Sequence, residues 1–401
     1  MWHHFLGALS LTLCAAGCAV PPAPAPPMAG LWQDEAFDYD PSLVTVSRDS
    51  LFELDPQVVR LLPAPDGAPH TGAGTRVANL LGLIFGPDLQ VFAYAGGHST
   101  VAAETWRLKR GDCLSLSILS LALARALGVT AQVQEVRVPT LFDRRGGVDF
   151  VNAHVNLRVR NDHLVNLRDR VLPAADLIID FEPQVGSRQR GTPLSDAALY
   201  ARFLNNRAAA QLAAHQERLA YAHFKAAILA DPSYRASYSN LAQLYLRTGR
   251  PAQAEALLLH ALSLGDPLGV ALQSLQQLMV DQGRQAEARD YAMRLAARRA
   301  EDPYHWLGLG LDHLRHSRHA QAVDALERAQ TLSSGFAEVH RYLAIAYWRN
   351  GQPIKAGDQL VLLGTLEPGV EHVAQLRQKF QLAGVEASRR QAGKEASDQA
   401  K

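Results

Sequence analysis

The sequence predicts an α+β domain followed by an all-α solenoid of helical hairpins. An apolar helix at 111–128 precedes segments that alternate apolar and polar residues, which is the pattern of strands. The C-terminal half repeats with a period of 34 residues, which is typical of stacked helix pairs. The chain has 401 residues, too many for a single core when a domain takes about 150.

Composition excludes one class of partner. The net charge is +1 and charged residues make up 20% of the chain, so the sequence has no basic field of the kind that attracts nucleic acid. Hydrophobic residues reach 48%, enough to build two buried cores. Nucleic acid is therefore not expected as a partner.

The N-terminus has the features of a leader. Residues 5–16 form an apolar stretch too short to span about 30 Å of hydrocarbon, which predicts a signal peptide at 1–17. Ala15-Ala16-Gly17-Cys18 resembles the lipobox of bacterial lipoproteins, and this resemblance implies that Cys18 carries lipid. Ordinary secretion and an uncleaved apolar end are the alternatives.

A proline-rich tether follows at 18–30, where an extended polyproline II form would lift a domain off a bilayer. The expected location is the bacterial cell envelope, lipid-anchored to the outer membrane and facing the periplasm. The lipid would make the membrane itself a partner. Ala19 in place of aspartate supports the outer membrane only under enterobacterial sorting.

Cys113 is the candidate nucleophile. Cysteines occur at 14, 18 and 113, so only Cys113 lies beyond the leader and its lipobox. Asp112 can cap the helix that follows, and the positive end of a helix dipole stabilises a thiolate. We therefore expect a pKa below the ordinary thiol value of about 8.5. The alternative is a buried structural cysteine, which is common at the start of a core helix.

Two later segments supply a base and an acid. Residues 129–139 predict a strand, and 151–160 alternate with His154 on the polar side, either in a cleft or facing solvent. Residues 175–183 contain an apolar run that ends at Asp180, and a carboxylate in such a run needs a buried partner. Cysteine, histidine and aspartate in this order satisfy the requirements of a thiol triad.

Residues 75–185 resemble the core of bacterial transglutaminase-like domains, in the papain-like cysteine peptidase superfamily. The matching residues are Tyr94, Thr100, Glu104, Gly111, Cys113, Leu127 and Gly128. The resemblance implies a papain-like α+β domain over 31–200 with Cys113 and His154 catalytic.

Two roles in this site stay open. Asp169 has the spacing after His154 that members of the family commonly show, and a tight turn at Asn161-Asp162 would set it opposite that histidine. Asp180 fits the apolar strand better and is the preferred third member. The oxyanion donor is unassigned, because 102–112 contain no glutamine, and Trp106 or the backbone N–H of Cys113 could serve.

The 34-residue period predicts tetratricopeptide (TPR) repeats at 201–370, a capping helix at 371–386 and a disordered tail at 387–401. Stacked repeats form a concave surface that commonly binds proteins or peptides, although a rigid spacer or a support for the first domain is also compatible. Three histidines in the repeats, His313, His316 and His319, lack a recognised ligand pattern and favour a solvated face. Neither a metal nor a cofactor is expected.

The preferred function is a cysteine peptidase or amidase in which Cys113, His154 and Asp180 transfer an acyl group to water, with repeats that recruit a protein or peptide. One alternative is transfer to an amine, as in a cross-linking transglutaminase. The other is a non-enzymatic TPR scaffold with a relict thiol domain. The sequence leaves open whether the chain is an enzyme.

Overall fold

The computed structural model describes residues 28–62, 72–86, 92–97, 99–139, 142–145, 148–151, 154–167, 170–172, 174–183, 185, 189–266, 268–366, 373–376 and 378–381. The signal peptide, Cys18, most of the tether, Asp169 and the tail lie outside these residues, as does much of the expected capping helix. Within the described ranges, no helix is both long and apolar enough to cross a bilayer.

The first region mixes helices and strands. Its helices are α1 (Pro56–Leu61), α2 (Ala73–Phe85), α3 (Ala102–Leu108) and α4 (Cys113–Ala126). Its strands are β1 (Ala93–Tyr94), β2 (Arg110–Gly111), β3 (Ala131–Val136), β4 (Phe142–Arg145), β5 (Val148–Val151), β6 (His154–Val159), β7 (Val165–Leu167), β8 (Arg170–Leu172), β9 (Leu177–Ile179) and β10 (Thr192–Pro193).

Helix α4 is the central element of this region. The Asp112 side chain accepts a hydrogen bond from the Ser115 backbone and so caps the helix, and Gly128 takes a positive φ of 63° just after it. Residues 114–124 are all buried, because α4 packs on β3 and β6 on one side and on other helices elsewhere. The α+β character expected of the first domain is therefore present.

The main sheet is antiparallel, with strand order β10-β3-β6-β9. Val136 pairs with His154, and Leu157 pairs with Ile179. Strand β7 pairs with β8 rather than with β6, so the chain leaves the sheet between β6 and β9. The tight hairpin that would have set Asp169 opposite His154 is therefore not formed.

The described part of the C-terminal region contains five antiparallel helix pairs. They are α5 (Asp196–Ala213) with α6 (Glu217–Ala230), α7 (Arg235–Arg247) with α8 (Pro251–Ser263), α9 (Val270–Asp281) with α10 (Gln285–Ala300), α11 (Pro303–Arg315) with α12 (His319–Leu332), and α13 (Ala337–Arg349) with α14 (Pro353–Leu366). From α7 onward the first helices of successive pairs begin 35, 33 and 34 residues apart, close to the period in the sequence. The region is an all-α array of TPR-type hairpins.

Small residues allow the paired helices to approach closely. Gly310 on α11 lies so near α12 that an added Cβ would come within 2.5 Å of Leu326. Large aromatic side chains fill the wider gaps, and Tyr221, Tyr238 and Tyr245 are fully buried. This alternation of small and large residues explains the periodic signal in the sequence.

The two regions share helix α5. It begins at Asp196, five residues before the expected boundary at 201, and its residues Leu199, Phe203 and Leu204 belong to the core that also contains α4 and the sheet. On β3, Glu135 receives a hydrogen bond of 2.7 Å from Arg202 of α5. The first helix of the first repeat thus also forms part of the core of the α+β region.

The segment 31–39, expected in the first domain, packs on the repeats instead. Phe37 stacks on Tyr221 with ring centroids 4.6 Å apart, and Tyr245 donates a hydrogen bond of 2.7 Å to the Leu31 carbonyl. Asp34 accepts two hydrogen bonds of 2.7 Å from the mostly buried Lys225. This segment ties the start of the folded chain to α6, α7 and α8.

Candidate active site

The candidate nucleophile lies at the first residue of α4, as the sequence predicts. Cys113 is half-buried and is a free thiol. Gly111, just before the helix, has no room for a side chain, because a Cβ there would come within 2.9 Å of Ser115. The chain therefore needs a glycine to bring the strand β2 this close to the start of α4.

His154 and Asp180 come together across β6 and β9. The pairing of Leu157 with Ile179 places Asp180 one residue beyond β9, diagonally across from His154 on the same face of the sheet. His154 Nε2 lies 3.0 and 3.1 Å from the two carboxylate oxygens of Asp180. Both side chains are buried, with exposed fractions of 5% and 7%.

The polar side of β6 is buried rather than solvated. His154 and Asn156 are both inaccessible, and Asn156 accepts a hydrogen bond of 3.0 Å from Gln134 on β3. Of the two positions that the sequence left open for His154, the structure places it in the interior, against Asp180. A buried imidazole held by a carboxylate is oriented, as a general base must be.

The thiol lies close to this pair. Cys113 accepts a hydrogen bond from the backbone of Val155, the residue after His154, and the Asp180 carboxylate acts on its ionisation. Nε2 of His154 is directed at Asp180, which leaves Nδ1 as the other ring nitrogen. The three residues proposed from the sequence therefore occupy one region of the fold.

The ionisation of Cys113 departs from expectation. Burial raises the pKa of the Cys113 thiol to about 12, and the charges of Asp112, Glu182 and Asp180 add to the rise, whereas the hydrogen bond from Val155 opposes it. The expected lowering of this pKa by the helix start is wrong, because burial and three carboxylates outweigh the helix dipole. The resting form is the neutral thiol.

A network of short hydrogen bonds supports the helix start. Ser99 and Ser115 each donate a hydroxyl hydrogen bond of 2.5 Å to the Asp112 carboxylate, and the Thr100 backbone donates to Ser115 at 2.9 Å. Asn206 of α5 donates to Ser99 at 3.1 Å. The first repeat helix is thus connected, through two hydrogen bonds, to the residue that precedes the nucleophile.

Two further side chains lie beside the thiol. Tyr94, 42% exposed, is at the end of β1. Its pKa is raised by burial, by a hydrogen bond to Glu182 and by the ionised form of Cys113. The Glu182 backbone in turn donates a hydrogen bond of 3.1 Å to Asp180. These contacts place Tyr94 and Glu182 at the rim of the site.

Sequence reasoning gave no role to either rim residue. Tyr94 was among the residues that carry the family resemblance, and Glu182 lies two positions after Asp180, so a Tyr–Glu pair could have been suspected. The hydrogen bond from Ser99 to Asp112 could not be predicted from the sequence, because a lone serine in a loop has no characteristic pattern.

Trp106, one candidate for the oxyanion donor, lies in the hydrophobic core, with Phe92 packed against it and the Lys109 ammonium over its ring. This position leaves the backbone N–H at the start of α4 as the better candidate donor. Among the described residues, no cluster of three or more His, Cys, Asp or Glu side chains is arranged to hold a metal ion.

The arrangement has the parts of a thiol acyl-transfer site. It combines a cysteine at a helix N-terminus, an imidazole oriented by a buried carboxylate and backbone N–H groups near the thiol. A thiol whose pKa is raised requires a base at the moment of attack, and His154, next to the residue that hydrogen-bonds Cys113, is the candidate.

Comparison with known proteins adds little. No protein-family model and no curated protein matches the sequence. Solved structures that match include YrrB, a TPR protein with an unusual peptide-binding site (18% identity, 45% of this chain and 92% of that one, TM-score 0.24). MamA (18%, 43% and 93%, TM-score 0.24) and PilF of Pseudomonas aeruginosa (18%, 49% and 88%, TM-score 0.25) also match. At these scores the likeness carries no weight, so the repeats are assigned from the helix pairs of this chain.

Proposed function

We propose that the chain is a cysteine hydrolase of the transglutaminase-like type that cleaves an amide bond, with Cys113 as nucleophile, His154 as base and Asp180 as the group that orients His154. The observation that carries the proposal is the buried contact of 3.0 Å between His154 Nε2 and Asp180, beside a cysteine at a helix start. A relict domain would have no need to keep this pair buried and oriented.

In the proposed reaction, Cys113 Sγ attacks the amide carbonyl carbon while His154 takes the thiol proton. The C–N bond then breaks, the amine leaves with that proton, and a thioester remains on Cys113. Water attacks the thioester carbonyl and gives a proton to His154. The C–S bond breaks, a carboxylic acid is released and the proton returns to Cys113.

Either water or an amine can attack the thioester, so cross-linking is the second candidate function. No described contact favours one of these two nucleophiles over the other. Incubation of the purified protein with a casein substrate and a dansylated amine would distinguish the two, because hydrolysis releases peptides and cross-linking attaches dansyl to casein.

The test of the nucleophile is the acylation of Cys113 by p-nitrophenyl acetate. The wild type should release a burst of p-nitrophenolate equal to one equivalent per chain, because p-nitrophenolate is a good leaving group and deacylation of the thioester is then the slower step. Cys113→Ala should abolish the burst, and His154→Ala should slow it by at least about 10²-fold. Cys18→Ser, at the other cysteine beyond the expected leader, is the matched cysteine control. A burst that survives Cys113→Ala would overturn the proposal.

The repeat array is proposed to recruit a protein or peptide, since stacked helical hairpins of this type commonly bind such partners. We also propose that Cys18 carries lipid and holds the protein in the cell envelope at the outer membrane, facing the periplasm. Metabolic labelling with an alkynyl fatty acid should tag the wild type and not Cys18→Ser. Label on the Cys18→Ser variant, or on neither, would contradict the anchor.

A further inference from the structure

A groove of about 870 Å³ lies between the last repeats and the α+β region. Helices α11 and α13 provide one wall, with the partly exposed side chains of Leu311, Tyr342 and Ile345. Pro139 and Val185 of the α+β region provide the other. Both regions therefore build this groove.

The groove begins where the strands of the candidate active site end. Val136, paired with His154, is the last residue of β3, and Pro139 lies three residues further, about 10 Å along an extended chain. Val185 lies five residues after Asp180 on the other side of the site. A Cβ on Gly308 of α11 would lie 3.3 Å from Pro139, so the strand end packs directly on the repeats.

The lining of the groove carries excess positive charge. Arg299, Arg315 and Arg349 all line it. The lining carboxylate, Asp302, is already ion-paired at 3.0 Å with Arg137. Asp312, the carboxylate nearest Arg315, also holds Arg318 at 2.6 Å.

The neighbouring histidine adds little to this positive charge. Burial and the Arg299 guanidinium lower the pKa of His305, while Asp302 opposes them. The groove thus combines an apolar floor with cationic edges. A ligand that fits it presents apolar side chains flanked by carboxylates.

The earlier repeats offer less room for such a ligand. Arg202 of α5 reaches Glu135 of the sheet, and α7 contacts β5. The segment 31–39 covers parts of α6, α7 and α8. In the described part of the chain, the wide groove is therefore at α11 and α13.

From this placement and charge we infer that the groove binds an acidic segment of a polypeptide substrate, with leucine-like side chains on the floor and carboxylates at the arginines, and directs the same chain to Cys113. The inference rests on the proposed thiol chemistry and adds to it the substrate class: proteins with an acidic, apolar stretch near the bond that is cleaved.

The experiment uses two eight-residue peptide chloromethyl ketones, which alkylate a thiol with release of chloride. One alternates Glu or Asp with Leu, and its twin carries Lys in place of each acid. Eight extended residues span about 26 Å, more than the about 10 Å of extended chain between Val136, the pairing partner of His154, and Pro139 at the groove. Iodoacetamide, which is small and neutral, reports the reactivity of Cys113 by itself.

The acidic reagent should label wild-type Cys113 about 10-fold faster than the basic twin, because two or three exposed ion pairs give about that factor. Arg299→Glu combined with Arg349→Glu should reduce this ratio below about 2, and 0.5 M NaCl should reduce it as well. Arg289→Glu combined with Arg328→Glu, exposed changes on the second helices α10 and α12, should leave it unchanged.

Equal labelling by the twins, or a ratio that survives the groove variant, would overturn the inference. Each peptide labelling rate is divided by the rate of labelling by iodoacetamide. A change in the intrinsic reactivity of Cys113 therefore cancels. If the acidic reagent labels about 10-fold faster than its twin but no p-nitrophenolate burst occurs, the groove binds acidic peptides and the proposed hydrolase is wrong. If a burst occurs and the twins label equally, the hydrolase stands and the inference about the groove is wrong.

Discussion

The α+β region and the repeat array use buried polar groups differently. In the α+β region, Asp112, His154 and Asp180 are buried or nearly so, and each is held by hydrogen bonds. In the array the cores consist mainly of alanine, leucine and tyrosine, packed between neighbouring helices. The first region gathers its buried charged groups in one site, whereas the array buries them singly along its length, as at Asp266, Glu338 and His340.

This difference indicates that the α+β region carries the candidate site and that the array supports it. Burial of a charged group is stable only when its partners stay in place, so the α+β region depends on long-range register. Each hairpin of the array depends on its neighbours in sequence. Helix α5 belongs to both regions, which makes the array part of the support for the site.

The largest expected effect is on the group that orients the base. Asp180→Asn should lower the acylation rate of Cys113 by at least about 10²-fold, since loss of the orienting acid in triad enzymes costs up to about 10⁴. Asp169→Asn, with Arg168 and Arg170 beside it, should change the rate by less than about 3-fold. The measurement is the p-nitrophenyl acetate burst. The reverse pattern would make Asp169 the third member, and two small effects would favour the scaffold.

The next effect is on the link between the two regions. Arg202, 11% exposed, bridges Glu135 and Asp231, so Arg202→Leu should lower the free energy of unfolding by about 2 kcal/mol through the partners it leaves unpaired. Arg125→Leu, which breaks an exposed pair with Asp196, should cost less than about 1 kcal/mol.

Urea unfolding followed by circular dichroism measures the free energy of unfolding of both variants. If the two regions unfold separately, the first transition is compared between the variants. Equal costs for the buried and the exposed pair would mean that α5 does not join the two regions in the way its burial indicates.

The smallest expected effect is on the titration of the thiol. Since burial raises the pKa of Cys113 to about 12, the alkylation rate should rise steadily from pH 6 to 10 without a plateau. Asp112→Asn removes the nearest negative charge, favours the thiolate and should raise the rate at fixed pH by about 10-fold. Glu182→Gln should act in the same direction but less. A plateau below neutrality would show a preformed thiolate.

The same shift gives a stability prediction with a definite sign. The thiol pKa is higher in the folded state than its ordinary value, so this group favours the folded state below that value and loses the contribution as the pH rises toward 12. Cys113→Ala should therefore be less sensitive to pH between 9 and 10 than the wild type in urea unfolding.

The sequence by itself determined the elements formed by neighbouring residues. The hairpins appear as a 34-residue period because each helix packs on its immediate neighbours, and the helix at Cys113 is bounded by Asp112 and Gly128, both readable locally. It also placed a histidine on a strand and an aspartate at the end of an apolar run. These are short-range features, which is why pattern and capping predict them.

Only the tertiary structure decided how those elements meet. The contact of His154 with Asp180 depends on β6 pairing with β9 across an excursion that contains β7 and β8, and one residue of slip would turn Asp180 to the other face. The direction of the shift in the Cys113 pKa depends on burial and on three carboxylates from two separate segments of the chain. Strand register and burial depend on residues that are distant in the chain. A local sequence pattern therefore does not predict them.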